Sequence, residues 1–227
     1  IHMLMEKPIT NTVSEAEDLI EKASIAGVKL QVGHIELFNP LIHILKKELE
    51  DECVIGISFL RLNPYDYRIK DVDVVKDLMI HDLYILAELL QDDFAEFYAL
   101  GNVIDDTTKY ATVIIRSSQG VLAELVASFK SKRRMRVIQI LTEDKFIKAD
   151  LLNNTIETTQ TEVLESNEMP IPVTNTIKLN HRLQPLSIQL SSFINCIKLD
   201  KPAFVSGEQG KKVLEITSKI SEAIYDS

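Results

Sequence analysis

The chain opens with a strand, a helix and a second strand, and this unit limits the possible folds more than anything that follows. Ile1 to Met5 is a short apolar run leading into Glu6-Lys7-Pro8, and Val28 to Val32 is another that closes at Gly33-His34. Between them Ala16, Leu19, Ile20 and Ala23 recur at helical spacing, with Ser14 and Glu17 as a capping box and Gly27 as the stop. A βαβ unit joins parallel strands, and a parallel sheet is normally buried on both faces. One unit cannot cover its own sheet, so the remaining strands come from elsewhere in the chain or have been cut away.

The 227 residues, 45% hydrophobic and 26% charged, suffice for one large domain or two smaller ones. No apolar run approaches the roughly 20 residues that span a bilayer. The first residues lack a basic region followed by an apolar segment and cleavage site, so a cytoplasmic protein with no membrane partner is expected. A formal charge of −9 and a pI near 5.1 argue against nucleic acid. The basic cluster Lys130, Lys132, Arg133, Arg134 and Arg136 lies between two strand-like runs and reads as a solvated turn, with an anion site as the other reading. Cys53 and Cys196 sit in apolar patterns without CxxC spacing and are expected as buried free thiols.

A helix is predicted from about Leu41 to Leu49, after Phe38-Asn39-Pro40, and Cys53 to Leu62 has strand composition. The loop Asn63 to Arg68 brings Tyr65, Tyr67 and Arg68 ahead of the next helix, as a wall of a polar ligand site or as a cap on the core. From Phe94 to Thr161 the pattern is short β-branched strands separated by turns, with antiparallel pairing expected. Val121, Ala123, Leu125, Ala127 and Phe129 share one face, while Leu122 and Val126 add apolar positions to the other. Such a sheet has helices on one side and a partner surface on the other, which suggests an oligomer built sheet on sheet. Glu162 to Asn180 is polar and proline-containing, a long loop or an edge strand; helices over Leu186 to Leu199 and Glu208 to Tyr225 close the chain, the latter capped by Ser206 and Gln209.

The run Val74 to Leu90 is read as one helix. A step of about 100° per residue sets Asp77, His81, Tyr84 and Glu88 on one stripe and Val75, Met79, Leu83, Leu86 and Leu90 on the opposite one. A carboxylate and an imidazole at i, i+4 can perform general acid/base chemistry, the one orienting the other. A solvated face of a surface helix has the same pattern.

Leu4-Met5-Glu6-Lys7-Pro8-Ile9, then Val32-Gly33-His34, the Asp77-x-x-x-His81-Asp82 helix, a run of strands and the tail Pro202-x5-Glu208-x-Gly210 together resemble the Gfo/Idh/MocA family of NAD(P)-dependent oxidoreductases. Val32 to Glu36 with Phe38-Asn39-Pro40 is most similar to the branch acting on nucleotide sugars such as UDP-N-acetylglucosamine. The resemblance covers almost the whole chain. It implies that residues 1–35 are the C-terminal part of a doubly wound Rossmann domain and that residues 36–227 are an α+β substrate-binding and oligomerisation domain. That second domain would have a large, mostly antiparallel open sheet covered by helices on one face, and would form a homodimer or homotetramer through it.

The resemblance further implies that Lys7 sits by the nicotinamide ribose and the substrate, with Glu6 and Pro8 on the cofactor side. His81 would take the hydroxyl proton and Asp77 would be its neighbour or a substrate ligand, with His34, Asn39, Tyr65 and Arg68 around the substrate. The implied chemistry is coherent: hydride leaves a carbinol carbon for NAD or NADP, a base accepts the proton, and an ammonium stabilises the developing alkoxide. Two departures stand out. Leu37 occupies a position where this branch often has arginine, and none of the seven glycines forms GxGxxG. The chain is therefore expected to be a family member lacking most of its dinucleotide-binding domain and, by itself, inactive. A non-catalytic oligomerisation or sugar-binding module is the alternative. A metal held by His34, Asp77 and His81 is a lesser one, and no metal is expected.

Overall fold

A computed structural model describes residues 1–162, 171–179 and 184–226. The opening unit consists of strand β1 (Met3–Glu6), helix α1 (Val13–Ile25) and strand β2 (Leu30–Gly33), with β1 and β2 parallel and Met3 opposite Leu30. The capping box of α1 is Thr12 with Glu15, not Ser14 with Glu17. Both pairs have the required spacing, and the earlier one brings Val13 into the helix and against the core. Gly27, at φ +60°, ends the segment as expected.

A 3₁₀ turn (Ile35–Phe38) and helix α2 (Pro40–Glu48) lead into the main sheet. Its strands are β3 (Val54–Pro64), β4 (Phe94–Ile104), β5 (Thr107–Ser117), β6 (Leu122–Ser131), β7 (Met135–Thr142), β8 (Lys145–Asp150), β9 (Thr155–Glu162) and β10 (Ile171–Lys178), in the order β10-β9-β8-β7-β3-β6-β5-β4. Every neighbouring pair is antiparallel except β3 with β6, between which the chain runs out through a helix and two strands before returning. Of the segment expected as a loop or edge strand, Ile171–Lys178 is the edge strand β10. Residues 163–170, Asn180 and His181 lie outside the described residues.

One face of this sheet is the core. Ala99, Val113, Leu125, Phe59, Ile138, Ala149 and Ile156 stand in register across seven strands, and all but the half-buried Ala99 are buried. The other face leaves Tyr98, Leu100, Ile114, Leu122, Leu141 and Phe146 exposed. Alternation of period two produces this division, since successive side chains point to opposite faces.

Helix α3 (Ile80–Leu90) packs on the core side together with α5 (Gly207–Tyr225), while α4 (Pro185–Lys198) lies against the 3₁₀ turn after β2. Val74 to Leu90 is not one uniform α-helix, because Val75–Met79 forms a π-helical turn in which Ile80 N–H reaches Val75 O. The predicted apolar stripe is buried at Val75, Met79, Leu83 and Leu86, but so are Ile80, Asp82, Tyr84 and Ile85. The helix is embedded, which overturns the surface-helix reading. Cys53 is exposed, contrary to expectation, because it precedes β3 instead of lying within it; Cys196 is buried. Among the described residues no helix is long and apolar enough to cross a membrane.

Arg61 lies on the core face of β3 and is only 1% exposed. Its Nε donates to both oxygens of Asp82 on α3 at 2.9 and 3.0 Å, Nη2 to Asp82 Oδ1 at 2.7 Å, and Nη1 to Glu36 Oε1 at 3.0 Å. Arg136 on β7 donates to the same Glu36 oxygen at 3.1 Å. Removing one partner of a buried pair leaves an uncompensated charge, so Arg61→Met is expected to cost about 3–5 kcal/mol in urea unfolding. Burial raises the Asp82 carboxyl pKa while Arg61 opposes the rise, so losing Arg61 raises it further. A raised carboxyl pKa penalises the folded state as pH climbs above about 4. The deficit should therefore be larger at about pH 7 than at about pH 4.5, and equal deficits would contradict this account.

Candidate active site

Lys7 follows β1 directly, and the buried Ile9 anchors the chain just beyond it. Its Nζ donates to Asp77 Oδ1 at 2.8 Å and to the main-chain oxygen of Asp77 at 3.0 Å. Asp77 therefore pairs with Lys7 across the fold, and no hydrogen bond joins it to His81 as the i, i+4 reading would have it. It sits inside the π-helical turn, a local widening that is common at functional sites.

His81 begins the second turn of this segment, and its Nδ1 is buried without a hydrogen-bond partner. His34, at the end of β2, is 1% exposed with both ring nitrogens unpartnered. Its ring packs against that of Tyr84, whose hydroxyl is also buried and unpartnered. Burial is the main cause holding the His34 pKa well below its ordinary value, reinforced by His81 and Lys7. Burial also lowers His81, to about 2, with Arg61, Lys7 and Arg136 adding to it. Both imidazoles are thus neutral, and an unprotonated ring nitrogen can accept a hydrogen bond. The cations that disfavour an imidazolium also favour negative charge developing on an oxygen placed among them.

The other expected site residues are distributed differently. Glu6 and Pro8 are exposed on either side of Lys7. Asn39 is buried and caps α2, its Oδ1 accepting from Leu41 N at 3.0 Å. The ammonium of Lys130 lies 3.9 Å from the centre of the Tyr65 ring. Arg68 is exposed and turned back on Asp66, Nη2 to Oδ2 at 2.6 Å. Among the described residues no hydrogen bond or ion pair connects Asn39, Tyr65 or Arg68 to the Lys7–Asp77 pair or to the two histidines. The basic cluster divides: Lys132, Arg133 and Arg134 are exposed as expected of a solvated turn, whereas Arg136 joins the buried Glu36–Arg61 group.

The sequence reading did not single out Arg61, and it named Glu36, Asp82 and Tyr84 in motifs or on the helical stripe without giving them a role. A usable signal was present in Arg61, which follows Ile57 and Phe59 on the core face of a strand, because a charge at a core position requires a partner. Leu37 is buried and lines a cavity of about 150 Å³ with Tyr84, Val205 and Gln209. The glycines opening α5 do not cradle a phosphate. A Cβ at Gly207 would lie 2.8 Å from Ile20 Cγ1, and one at Gly210 would lie 2.7 Å from Val32 Cγ2, so both serve close packing of the helix on the βαβ unit. None of the seven glycines of the sequence forms a GxGxxG phosphate loop.

No family model matches the chain. It is 29% identical over 232 residues to UDP-N-acetylglucosamine 3-dehydrogenase of Acidithiobacillus ferrooxidans, covering 99% of this chain and 71% of that protein. It is 25% identical over 228 residues to myo-inositol 2-dehydrogenase of Thermotoga maritima, covering 94% of this chain and 67% of the relative. A solved structure of the Acidithiobacillus ferrooxidans enzyme superimposes with a TM-score of 0.91 over 100% of this chain and 72% of the other, at 29% identity. An oxidoreductase domain protein from Kribbella flavida shares the fold at a TM-score of 0.82 and 18% identity, with 99% of this chain and 73% of the other covered.

The two neutral histidines predict how stability varies with pH. In the unfolded chain each takes up a proton near its ordinary pKa of about 6.5, and in the folded protein neither does until far lower pH. The unfolded state thus binds more protons as pH falls, and stability drops between about pH 7 and pH 5 by up to ~1.4 kcal/mol per unit for each histidine. His34→Gln should flatten that slope in urea titrations; an unchanged slope would show that His34 is not held neutral.

Proposed function

We propose that this chain, the C-terminal region of a Gfo/Idh/MocA-type oxidoreductase, carries the substrate side of a site that oxidises a hydroxyl of a sugar or nucleotide sugar. One observation supports this most: Lys7, held on Asp77, shares a neighbourhood with two neutral histidines, of which both ring nitrogens of His34 and Nδ1 of His81 lack protein partners. Bound NAD or NADP, the cofactors of the family, supplies the hydride acceptor.

His81 takes the hydroxyl proton through an unpartnered nitrogen. Lys7 places positive charge beside the oxygen that becomes an alkoxide, and Asp77 fixes the ammonium from two oxygens at once. His34 accepts or donates to a neighbouring substrate hydroxyl, and Glu6 and Pro8 border the cofactor. Tyr65 and Arg68 form a loop that reaches the more distant part of the substrate. Residues 1–35 belong to the nucleotide-binding domain, whose phosphate loop lies in sequence other than these 227 residues, and residues 36–227 form the substrate and oligomerisation domain. The open sheet face carrying Tyr98, Leu100, Ile114, Leu122, Leu141 and Phe146 binds a second copy, since an apolar patch of this extent favours burial.

The test is a polypeptide extended by its upstream coding sequence, incubated with NAD or NADP and a panel of nucleotide sugars and polyols while reduced nicotinamide is followed. His81→Ala and Lys7→Met should each lower kcat by about 10²–10⁴-fold. Turnover by neither the parent polypeptide nor the variants on any substrate would leave the non-catalytic module as the better reading.

A further inference from the structure

The segment that carries Asp77 is fastened from behind by groups that touch neither Lys7 nor the histidines. Lys109 on β5 is 1% exposed, and among the described residues its ammonium hydrogen-bonds no carboxylate, although Asp71, Asp73 and Asp105 lie near enough to favour its charge. It donates instead to three main-chain oxygens of one loop: Ile69 at 2.9 Å, Lys70 at 2.6 Å and Val72 at 3.0 Å. Thr107 Oγ1 adds a bond to the Lys70 oxygen at 3.1 Å. Burying an ammonium is expensive unless its protons are satisfied, and this loop satisfies all three.

One residue further on, Asp73 fixes the start of the π-helical turn. Its Oδ1 accepts from Val75 N at 2.8 Å and Lys76 N at 3.3 Å, and its main-chain oxygen accepts from Asp77 N at 3.1 Å. The other carboxylate oxygen is held from the far end of α5, by Ser221 Oγ at 3.3 Å and Tyr225 Oη at 3.2 Å. Tyr225 Oη in turn accepts from Thr108 N at 3.2 Å, so β5, the last turn of α5 and the loop share one network.

We infer that Lys109 and the Tyr225–Asp73 contact are positioning residues that set the height of the π-helical turn, so that both the carboxylate and the main-chain oxygen of Asp77 meet Lys7. Lys7 arrives from the βαβ unit and Asp77 from the π-helical turn before α3; Ile69, Val72, Val74 and Val75 hold that segment by apolar contact, which is nearly indifferent to small shifts, so the directional bonds of Lys109 and Asp73 fix its height. The catalytic consequence rests on the function proposed above; the positioning itself does not.

The test is amine labelling of the 227-residue chain with an N-hydroxysuccinimide ester, read lysine by lysine by mass spectrometry. Lys145, paired with Glu52 at 2.6 Å on β8, serves as the internal reference. Asp77→Ala calibrates the signal by removing the carboxylate. Tyr225→Phe, which removes only a hydroxyl, and Lys109→Met are each expected to raise Lys7 labelling about fivefold, the effect of losing one hydrogen bond's net stabilisation, and to leave Lys145 unchanged. Lys7 and Lys145 rising together would mean general loosening and overturn the inference. So would Lys7 staying protected in Tyr225→Phe, or in Asp77→Ala itself. Labelling needs no turnover, so it decides the positioning even if the dehydrogenase assay fails. In the active enzyme the same variants should lower kcat and leave KM near its parent value.

Discussion

A guanidinium buried on the core face of the sheet determines how the parts of this molecule meet. Arg61 leaves β3 on the core side, where Phe59 and Ile57 precede it, and reaches Asp82 on α3 and Glu36 on the turn after β2. Burial by itself works against the charged guanidinium, but the two carboxylates outweigh it and push the Arg61 pKa above its ordinary value. Apolar contact would allow α3 to slide or rotate on the sheet, because dispersion is nearly indifferent to small shifts. Three directional charge-assisted bonds to one carboxylate do not allow it. His81 is the residue before Asp82, so the group that holds the helix also places the imidazole.

The same network sets the electrostatics around His81. Arg61, Arg136 and Lys7 surround His81 with positive charge, and burial removes the water that would screen it. Imidazolium is penalised there, whereas an oxygen acquiring negative charge is favoured. Four buried polar atoms, on His34, His81 and Tyr84, remain without protein partners in this one region. Each such atom costs about 1–3 kcal/mol when left unsatisfied, and in the function proposed above a substrate hydroxyl completes the set.

Much of the fold could be read from local pattern. The β6 face Ala123, Leu125, Ala127 and Phe129, the Ser206–Gln209 cap, the Gly27 stop and the exact limits of β7 and β8 follow from period-two alternation and end signals that need no distant partner. The candidate site was legible only in part. Lys7, Asp77 and His81 were identified, but the periodicity paired Asp77 with His81, whereas the structure pairs it with a lysine 70 residues away. Helical spacing assumes a uniform twist, and a single π-helical turn breaks that assumption without any mark in composition. Thr12 and Ser14 compete as caps at equal spacing, and only packing of Val13 decides between them.

By itself the sequence determined the βαβ start, the strand-rich body with one apolar and one mixed face, and the presence of a lysine, a carboxylate and histidines suited to proton transfer. Each of these depends on residue type and on neighbours within one turn or one strand. Tertiary structure alone decided that α3 is embedded, that Arg136 leaves its basic cluster for Glu36, and that β3 and β6 run parallel in a mostly antiparallel sheet. It also decided that Lys7 and Asp77 are the pair. The physical reason is that ion pairs and burial depend on distance in space, and the loops that bring β1, β3, β7 and α3 together carry no local code for it.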